Sequence, residues 1–296
     1  GGRTVPASCS PAMVFRLLPI LPCCLAVAAS AGGGLAAGPV LVTGATGRTG
    51  ALLYAALKEG GVSVRALVRN ATKAREVLGC KKCDASEGIF VGDVTEKESL
   101  PPAMQGAAGL AIATSAVPVC SIPGNMTSCG YRKGGLPEDV DFHGGKAQVE
   151  AFAEAGRGAP GPVVLCSSMG STDPDNFLDR LGNGHVLFYK LNFEAFLMSS
   201  GLPFTVVKPC GLVDGPAGQA ELVAGHDDEM HLKPPTVSRA DVARVMAGAF
   251  QRPAEAAGLR FDLCSRPGKA TKDVGEVFQK ARYPWQAPAA GNPLVV

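Results

Sequence analysis

The sequence predicts an α/β protein with a doubly wound parallel sheet and a small C-terminal lobe. Short apolar segments rich in β-branched residues alternate with helical segments along most of the chain, as in parallel sheets buried on both faces. The first of these segments, which begins at Val40, runs into a turn with glycines three residues apart. A length of 296 residues suits one domain of this class, and we expect that domain over residues 39–282.

The turn after the first strand has the pattern of a loop that binds a dinucleotide phosphate. Helix formers follow it from Ala51 to Lys58, so the turn leads into a helix N-terminus, where anions bind. In such a turn Gly44 permits the tight bend, Gly47 lets the backbone approach the pyrophosphate, and Gly50 lets the helix pack closely on the strand. The alternative is an ordinary strand-to-helix turn. The predicted cofactor contacts in this turn are Gly44, Thr46, Gly47, Arg48, Thr49 and Gly50.

The second strand, from Val62 to Arg69, bears on the choice between NADH and NADPH. A site selective for NADH usually has an acidic residue here that binds the ribose 2′-hydroxyl, but this chain has Arg69. Together with Arg48 in the glycine turn, Arg69 could hold a 2′-phosphate through charge-assisted hydrogen bonds. The pattern therefore favours NADPH, with NAD as the other candidate. The alternative for Arg69 is an ordinary solvated cation.

Later strands predict the rest of the cofactor groove. Asp93 and Val94 follow the third strand, Gly88 to Gly92, and the carboxylate could accept from the adenine amino group or cap the next helical turn. Ligands bind doubly wound sheets at the carboxyl ends of the strands, so residues after the fourth strand (109–117) and the sixth strand (203–207) should lie near the cofactor. These residues are Thr114, Ser115, Ala116, Pro209, Gly211 and Leu212.

Two segments without periodicity, residues 117–139 and 171–184, follow the fourth strand and the fifth strand (163–166). Loops in these places overhang the carboxyl edge of the sheet, so we expect them to form the lid of a substrate pocket. Tyr131 and His143 could reach that pocket, although each is more often a structural residue. A seventh strand is predicted at 261–263, and a helix start at Ser238.

These motifs together resemble those of the atypical short-chain dehydrogenase/reductases, specifically the plant and algal NAD(P)-binding proteins of the NmrA-like group. The resemblance runs from about Val40 to Pro267 and implies a Rossmann fold with a small C-terminal substrate lobe. It is specific for the family and much less so for a substrate. The landmarks are VLVTGATGRTG, GDVT, TSAVP, VDFHGGKAQVE, SSMGSTDPD, LGNG, PFTVVKPCGL and SRADVA.

The resemblance also implies a proton relay made of a serine after the fifth strand and a tyrosine followed four residues later by a lysine. Ser168 matches the serine. Alignment through LGNG puts Phe188 and Asn192 at the tyrosine and lysine positions, and neither side chain can do the work, because one has no proton to give and the other no charge. Tyr189 and Lys190 are the nearest candidates for a catalytic role.

Two functions remain open on these observations. The first is a reductase of a small quinone-like or other easily reduced molecule, whose proton comes from His185, Tyr189, Lys190 or water, because hydride transfer itself is the chemistry of the nicotinamide. The second is a protein that binds NADPH without turnover and acts as a sensor or as an assembly or regulatory factor. In that case a protein partner is expected.

Composition excludes some functions and indicates a compartment. The formal net charge of +2 gives no field suited to nucleic acid. Residues 1–38 predict a targeting or disordered extension, which resembles a signal peptide from Met13 onward. With the plant and algal resemblance this favours a plastid location, with the cytoplasm or the secretory route as alternatives. We expect no membrane span after this extension and a loose tail over residues 283–296.

The ten cysteines do not predict a disulfide framework, because several lie at strand ends where buried free thiols are ordinary. Cys80 and Cys83 are the exception, since the two lysines between them would lower a thiol pKa and favour redox activity. The alternative is a pair of ordinary loop cysteines. A second pair that would complete a zinc site is missing from the sequence, and we predict no metal site.

Overall fold

The computed structural model describes residues 37–156 and 161–286, together with Gly1 and Gly2. Of the predicted targeting extension, only its first two and last two residues fall within this range, so the signal-like segment from Met13 lies outside the described residues.

A mostly parallel sheet runs through the described residues, and the predicted doubly wound α/β fold is confirmed. In chain order the strands are β1 (Val40–Thr43), β2 (Val64–Val68), β3 (Ile89–Val91), β4 (Gly109–Ile112), β5 (Val119–Cys120), β6 (Cys129–Gly130), β7 (Val163–Cys166), β8 (Phe204–Pro209), β9 (Gly211–Val213), β10 (Glu221–Gly225), β11 (Thr236–Ser238) and β12 (Leu259–Arg266). The sheet order is β3-β2-β1-β4-β7-β8-β12-β11-β9. Strand β10 pairs with β12 in antiparallel fashion, and β5 and β6 form a separate hairpin.

Helices cover both faces of this sheet. They are α1 (Arg48–Glu59), α2 (Ala71–Leu78), α3 (Pro101–Met104), α4 (Gly144–Ala155), α5 (Val186–Ser199), α6 (Arg239–Gln251), α7 (Pro253–Ala256) and α8 (Gly275–Lys280). Helix α6 begins after Ser238, whose hydroxyl accepts from the Asp241 N–H as an N-cap. Among residues 37–156 and 161–286, none of the helices has both the length and the apolar composition that a bilayer crossing needs.

Strand β1 is apolar at successive positions because both of its faces are buried. Val40 and Val42 pack in a core with α1 and α6, whereas Leu41 packs in the opposite core with α3, α4 and α5. The chain winds in opposite directions from this strand, since β1 pairs in parallel with both β2 and β4. That arrangement opens a crevice at the carboxyl ends of β1 and β4, where doubly wound sheets bind their ligands.

The segment from Tyr283 to Gln286 packs on the domain, although the sequence predicts a loose tail from residue 283. Pro284 to Gln286 form a 3-10 turn, and the Tyr283 ring stacks on His226 with 3.7 Å between ring centroids. The Tyr283 hydroxyl also donates to Asp227 at 3.0 Å. Ring stacking and this hydrogen bond thus hold the segment 283–286 on the domain, while residues 287–296 lie outside the described residues.

Cys80 and Cys83, the pair that the sequence set apart, are joined as a disulfide. The expectation of free cysteines is wrong for two further pairs, Cys120–Cys129 and Cys210–Cys264. The last pair is distant in sequence, but β8 and β12 are neighbours in the sheet and bring it together. Among the described cysteines only Cys166 is free.

Candidate functional site

The turn after β1 has the geometry of a phosphate-binding loop. Gly44 has a φ of +69°, and a Cβ there would lie 2.6 Å from the Ala113 carbonyl oxygen, so only glycine fits. A Cβ at Gly50 would approach the Gly44 carbonyl oxygen still more closely, so this glycine allows α1 to pack against the turn. The exposed Gly47 is different, because its only close protein neighbour would be the Gly44 oxygen at 3.1 Å. The space beside Gly47 is therefore open to a ligand.

The N-terminus of α1 is free to bind an anion. Gly47 is its N-cap and supplies no side-chain acceptor, and the first turn contains no acidic residue. The N–H groups of Arg48, Thr49 and Gly50 have no partner within the helix, since the first intrahelical bond is donated by Ala51 to the Gly47 carbonyl. Thr46 is half-buried beside them. These donors and the helix dipole suit a pyrophosphate, and the residues present fit a dinucleotide.

The two arginines predicted to select the cofactor lie at the ends of β2 and the glycine turn. The side chains of Arg48 and Arg69 are 74% and 73% exposed, and each has only a loose contact of 4.0 Å, with Asp214 and Asp93 respectively. Both guanidinium groups are therefore available to a phosphate. Asp93 caps the following turn through the Thr95 N–H and hydroxyl, which is one of the two roles the sequence left open for it.

Val94 is buried, and a cleft of about 470 Å³ opens beside it. Residues from the start of α4, including His143 and Gly144, form the opposite wall. The cleft is next to the position where the sequence predicts the adenine. His143 therefore lines this cleft instead of the lid of the substrate pocket.

The segment after β4 is held in place by a residue that the sequence did not single out. Asp141, in a π-helical turn (Glu138–His143) before α4, accepts from the Ala116 N–H at 2.9 Å. Thr114 accepts from Gln148 at 3.3 Å, and Ser115 is exposed. The strand ends at Ile112 instead of residue 117, and Ala116 donates to this buried carboxylate instead of to a neighbouring strand.

Lys190 is at the centre of a small cavity below this segment. The cavity has a volume of about 10 Å³, roughly one water molecule, and its walls include Thr114, Ser167 and Phe193. The Lys190 ammonium is 2.7 Å from the Asp141 carboxylate, and the two side chains are 11% and 2% exposed. Burial opposes the charge on Lys190, but the Asp141 carboxylate outweighs it and raises the pKa of the lysine. The Asp141 carboxylate therefore favours the charged form of this lysine in the cavity wall.

The serine in this cavity is Ser167, one residue before the one that the sequence favoured. Ser167 is buried, and its hydroxyl donates to the Glu194 carboxylate, which also binds Arg260 at 2.8 Å. Ser168 is half-buried and donates instead to the Met169 carbonyl at 2.9 Å. The change of one residue follows from the strand period of two, because neighbouring side chains at the end of β7 point to opposite faces.

The other residues predicted for the proton relay lie away from the cavity. Phe188 is exposed, and the Asn192 amide donates to the Phe188 carbonyl at 2.7 Å on the outer side of α5. Tyr189 points toward Glu138, and burial together with that carboxylate raises its pKa. His185 is exposed and contacts Asp179 at 3.1 Å. Of the predicted catalytic residues, the structure places only Lys190 in the cavity.

The segment after β8 forms the remaining wall of the crevice. Pro209 is buried and its carbonyl accepts from Met169, Gly211 is exposed, and Leu212 is half-buried. The sequence did not single out Asp141 or Glu194, and it favoured Ser168 over Ser167. A local signal existed for Glu194, which is four residues after Lys190 and so shares its helix face. The partners of Asp141 are 25 and 49 residues away in sequence.

Together the parallel sheet, the glycine turn and the open helix N-terminus define a dinucleotide-binding protein of the Rossmann type. A family model described as NAD(P)H-binding matches residues 44–253, and the chain belongs to this family. The predicted resemblance and a nicotinamide cofactor are thereby confirmed at the level of the family.

Named relatives agree with this assignment. The chain is 34% identical over 277 residues to sanguinarine reductase of Eschscholzia californica, covering 83% of this chain and 97% of that protein. It is 38% identical over 249 residues to an uncharacterised chloroplast protein of Arabidopsis thaliana, covering 81% and 74%. Among solved structures, an anaerobillin reductase from Escherichia coli O157:H7 superimposes with a TM-score of 0.58 at 23% identity, covering 79% and 100%, and shares the fold.

Proposed function

We propose that this chain is an NADPH-dependent reductase of a small, easily reduced molecule such as a quinone or an activated carbonyl compound. The observation that carries the proposal is the buried Lys190 ammonium, held by Asp141 in a cavity at the carboxyl edge of the sheet. Bound NADPH would supply the hydride. Lys190 would stabilise negative charge or hold a ribose hydroxyl next to the nicotinamide.

Exposed apolar side chains in the predicted lid segments favour an apolar substrate with a ring. Val117 and Phe177 are large apolar side chains that are exposed to solvent. Each belongs to one of the two predicted lid segments. Exposed apolar groups around a site usually mark a surface that a ligand covers. Easily reduced rings also place the least demand on a proton donor, which matches a site whose family tyrosine is missing.

Turnover is tested with the full chain and a panel of quinones and activated aldehydes, by following the loss of NADPH. We expect Lys190→Met to lower kcat by about a hundredfold, because removing one preorganised donor usually costs that much. Lys146→Met on α4 is the matched control, since this lysine lies over Phe142 and Phe196 and should leave kcat unchanged. Absence of turnover by the unmodified chain with every acceptor would contradict the proposal.

The preference for NADPH rests on Arg48 and Arg69. We expect tighter binding of NADPH than of NADH, and loss of the difference when both are changed to alanine, at about 1.5–3 kcal/mol per charged hydrogen bond. Calorimetric titration with each nucleotide measures the two affinities and their difference. Lys58→Ala is the control, because Lys58 lies at the other end of α1, about 15 Å from Arg48. Equal affinities in the unmodified chain would rule the preference out.

The second candidate is an NADPH-binding protein without turnover, a sensor or an assembly or regulatory factor. It is supported by the Ser167 hydroxyl, which already donates to Glu194 and so is not free to donate to a substrate oxygen. Tight NADPH binding with no oxidation in the acceptor panel would favour this candidate.

We also propose a plastid location, supported by the chloroplast relative. A fluorescent fusion to the C-terminus of the complete precursor tests it, and cytosolic or secretory fluorescence would contradict it.

A further inference from the structure

Helix α5 has no tyrosine on the face that carries Lys190. A residue four positions earlier shares that face, and this residue is Val186, which has no proton to donate. Ser167 is engaged by Glu194. If a side chain supplies the proton for carbonyl reduction, that side chain lies outside this face of α5.

Tyr131 lies at the start of α5, beside the residue two positions before Val186. It directly follows β6, at the base of the β5–β6 hairpin, and its ring packs against Gly184, just before α5. A Cβ at residue 184 would overlap this ring, so the glycine makes room for Tyr131. A Cβ at Gly182 would lie 2.8 Å from the Gly130 Cα. The backbone at the base of the hairpin therefore packs directly against the backbone of the turn before α5.

The chemistry of Tyr131 suits a proton donor. Burial raises the pKa of its phenol, and the carboxylates of Asp141 and Asp179 raise it further. Asp141 binds Lys190, and Asp179 caps the start of α5 by accepting from the N–H groups of Leu187 and Phe188. The raised pKa makes the phenol a weaker acid, but it keeps the half-buried group protonated at neutral pH, as a donor to a strongly basic alkoxide must be.

We propose that Tyr131 is a catalytic residue of this site and donates the proton that the missing helix tyrosine would have supplied. This inference rests on the reductase function proposed above. As hydride reaches the carbonyl carbon, the π electrons of the C=O bond move to oxygen. The Tyr131 O–H bond breaks as a new O–H bond forms on the substrate, and the phenolate recovers its proton from water. Lys190 neutralises Asp141 nearby and so limits the repulsion that this phenolate would meet.

The hairpin disulfide positions this residue. Cys129 is two residues before Tyr131 and is joined to Cys120 on the paired strand. The hydrogen bonds inside the hairpin are short-range, such as that from the Ser128 hydroxyl to the Asn125 carbonyl at 2.8 Å. We therefore expect Cys120→Ser with Cys129→Ser to lower kcat, whereas Cys80→Ser with Cys83→Ser, in the loop after α2, should not.

The test compares Tyr131→Phe with the unmodified chain on two acceptors, 1,4-naphthoquinone and 4-nitrobenzaldehyde. The aldehyde yields a strongly basic alkoxide that needs a donor, whereas the reduced quinone anion is stabilised by its aromatic ring. We expect kcat to fall about a hundredfold or more for the aldehyde and less than tenfold for the quinone, with unchanged NADPH affinity. A merely structural role would lower both rates equally.

Two further variants keep the result interpretable. Gly184→Ala forces the ring to move without altering the phenol and should reproduce the selective loss. Tyr54→Phe on α1 removes a hydroxyl far from the crevice and should change neither rate by more than about threefold. A Tyr131→Phe variant that keeps the aldehyde kcat, an equal loss on both acceptors, or an unmodified chain that reduces only the quinone overturns the assignment of Tyr131. No turnover with either acceptor overturns the reductase function itself.

Discussion

The buried pair of Lys190 and Asp141 should dominate the stability of the crevice, and Asp141→Asn tests this directly. The asparagine has one amide oxygen for two donors, the Ala116 N–H at 2.9 Å and the Lys190 ammonium at 2.7 Å. At least one of these donors therefore loses its partner. Breaking a buried pair by removing one member costs about 3–5 kcal/mol, and the slight exposure of Lys190 favours the lower end, about 3 kcal/mol.

Urea unfolding at neutral pH measures this loss. Glu150→Gln is the matched control, because Glu150 pairs with Lys97 at 3.0 Å on the surface, where such pairs contribute less than about 1 kcal/mol. The pH dependence gives an independent readout. The pKa of Lys190 is raised in the folded chain, so the pair stabilises fully below the unfolded pKa of about 10.4 and is lost as pH rises through the folded value. Asp141→Asn should abolish this alkaline loss. A cost below about 1 kcal/mol would refute the reasoning.

Three more predictions address the cradle, the substrate lobe and the helix register. Gly47→Val should abolish NADPH binding by calorimetry while the fold survives, because its backbone angles of −80° and 163° suit valine; retained binding would place the cofactor elsewhere. Burial opposes ionisation of Asp228, but hydrogen bonds from Thr172 and Gly170 outweigh it and lower its pKa to about 2. Its contribution of about 2 kcal/mol should vanish between pH 4 and 2, and Asp228→Asn should flatten the acid unfolding curve there. Val186→Tyr should restore aldehyde reduction to the Tyr131→Phe variant, whereas Phe188→Tyr should not; the reverse result would move the catalytic face of α5.

Local patterns were sufficient for the parts of the fold that local physics determines. The glycine turn was predictable because tight turns, close backbone approach and helix starts each restrict residue choice within a few positions. The start of α6 was predictable for the same reason, because the Ser238 hydroxyl caps the helix. The buried strands were predictable from their continuous apolar sequence, because both of their faces lie against apolar cores.

Contacts across the chain could not be predicted this way. Asp141 looks like one more acid in a charged turn until the fold brings the ends of β4 and α5 to it. The Cys210–Cys264 pair depends on β8 and β12 being neighbours. The packing of Tyr283 on His226 likewise joins a terminal segment to the loop after β10. In each case the partner is specified by topology, which residue spacing does not contain.

The alignment of α5 with the family determines which member of the tyrosine–lysine pair this chain retains. Each residue turns the helix by about 100°, so alignment of the lysine with Asn192 instead of Lys190 rotates the inferred catalytic face by about 200°, to the opposite side. Two sets of buried contacts lie on the face that we propose as catalytic, because Lys190 binds Asp141 and Glu194, four residues later, binds Ser167 and Arg260. The geometry therefore favours Lys190 at the lysine position and Val186 at the tyrosine position. On this register the charge that can hold the cofactor is kept, and only the proton donor is missing from the helix. Tyr131 from the neighbouring hairpin is then enough to complete the relay, because Lys190 already supplies the positive charge.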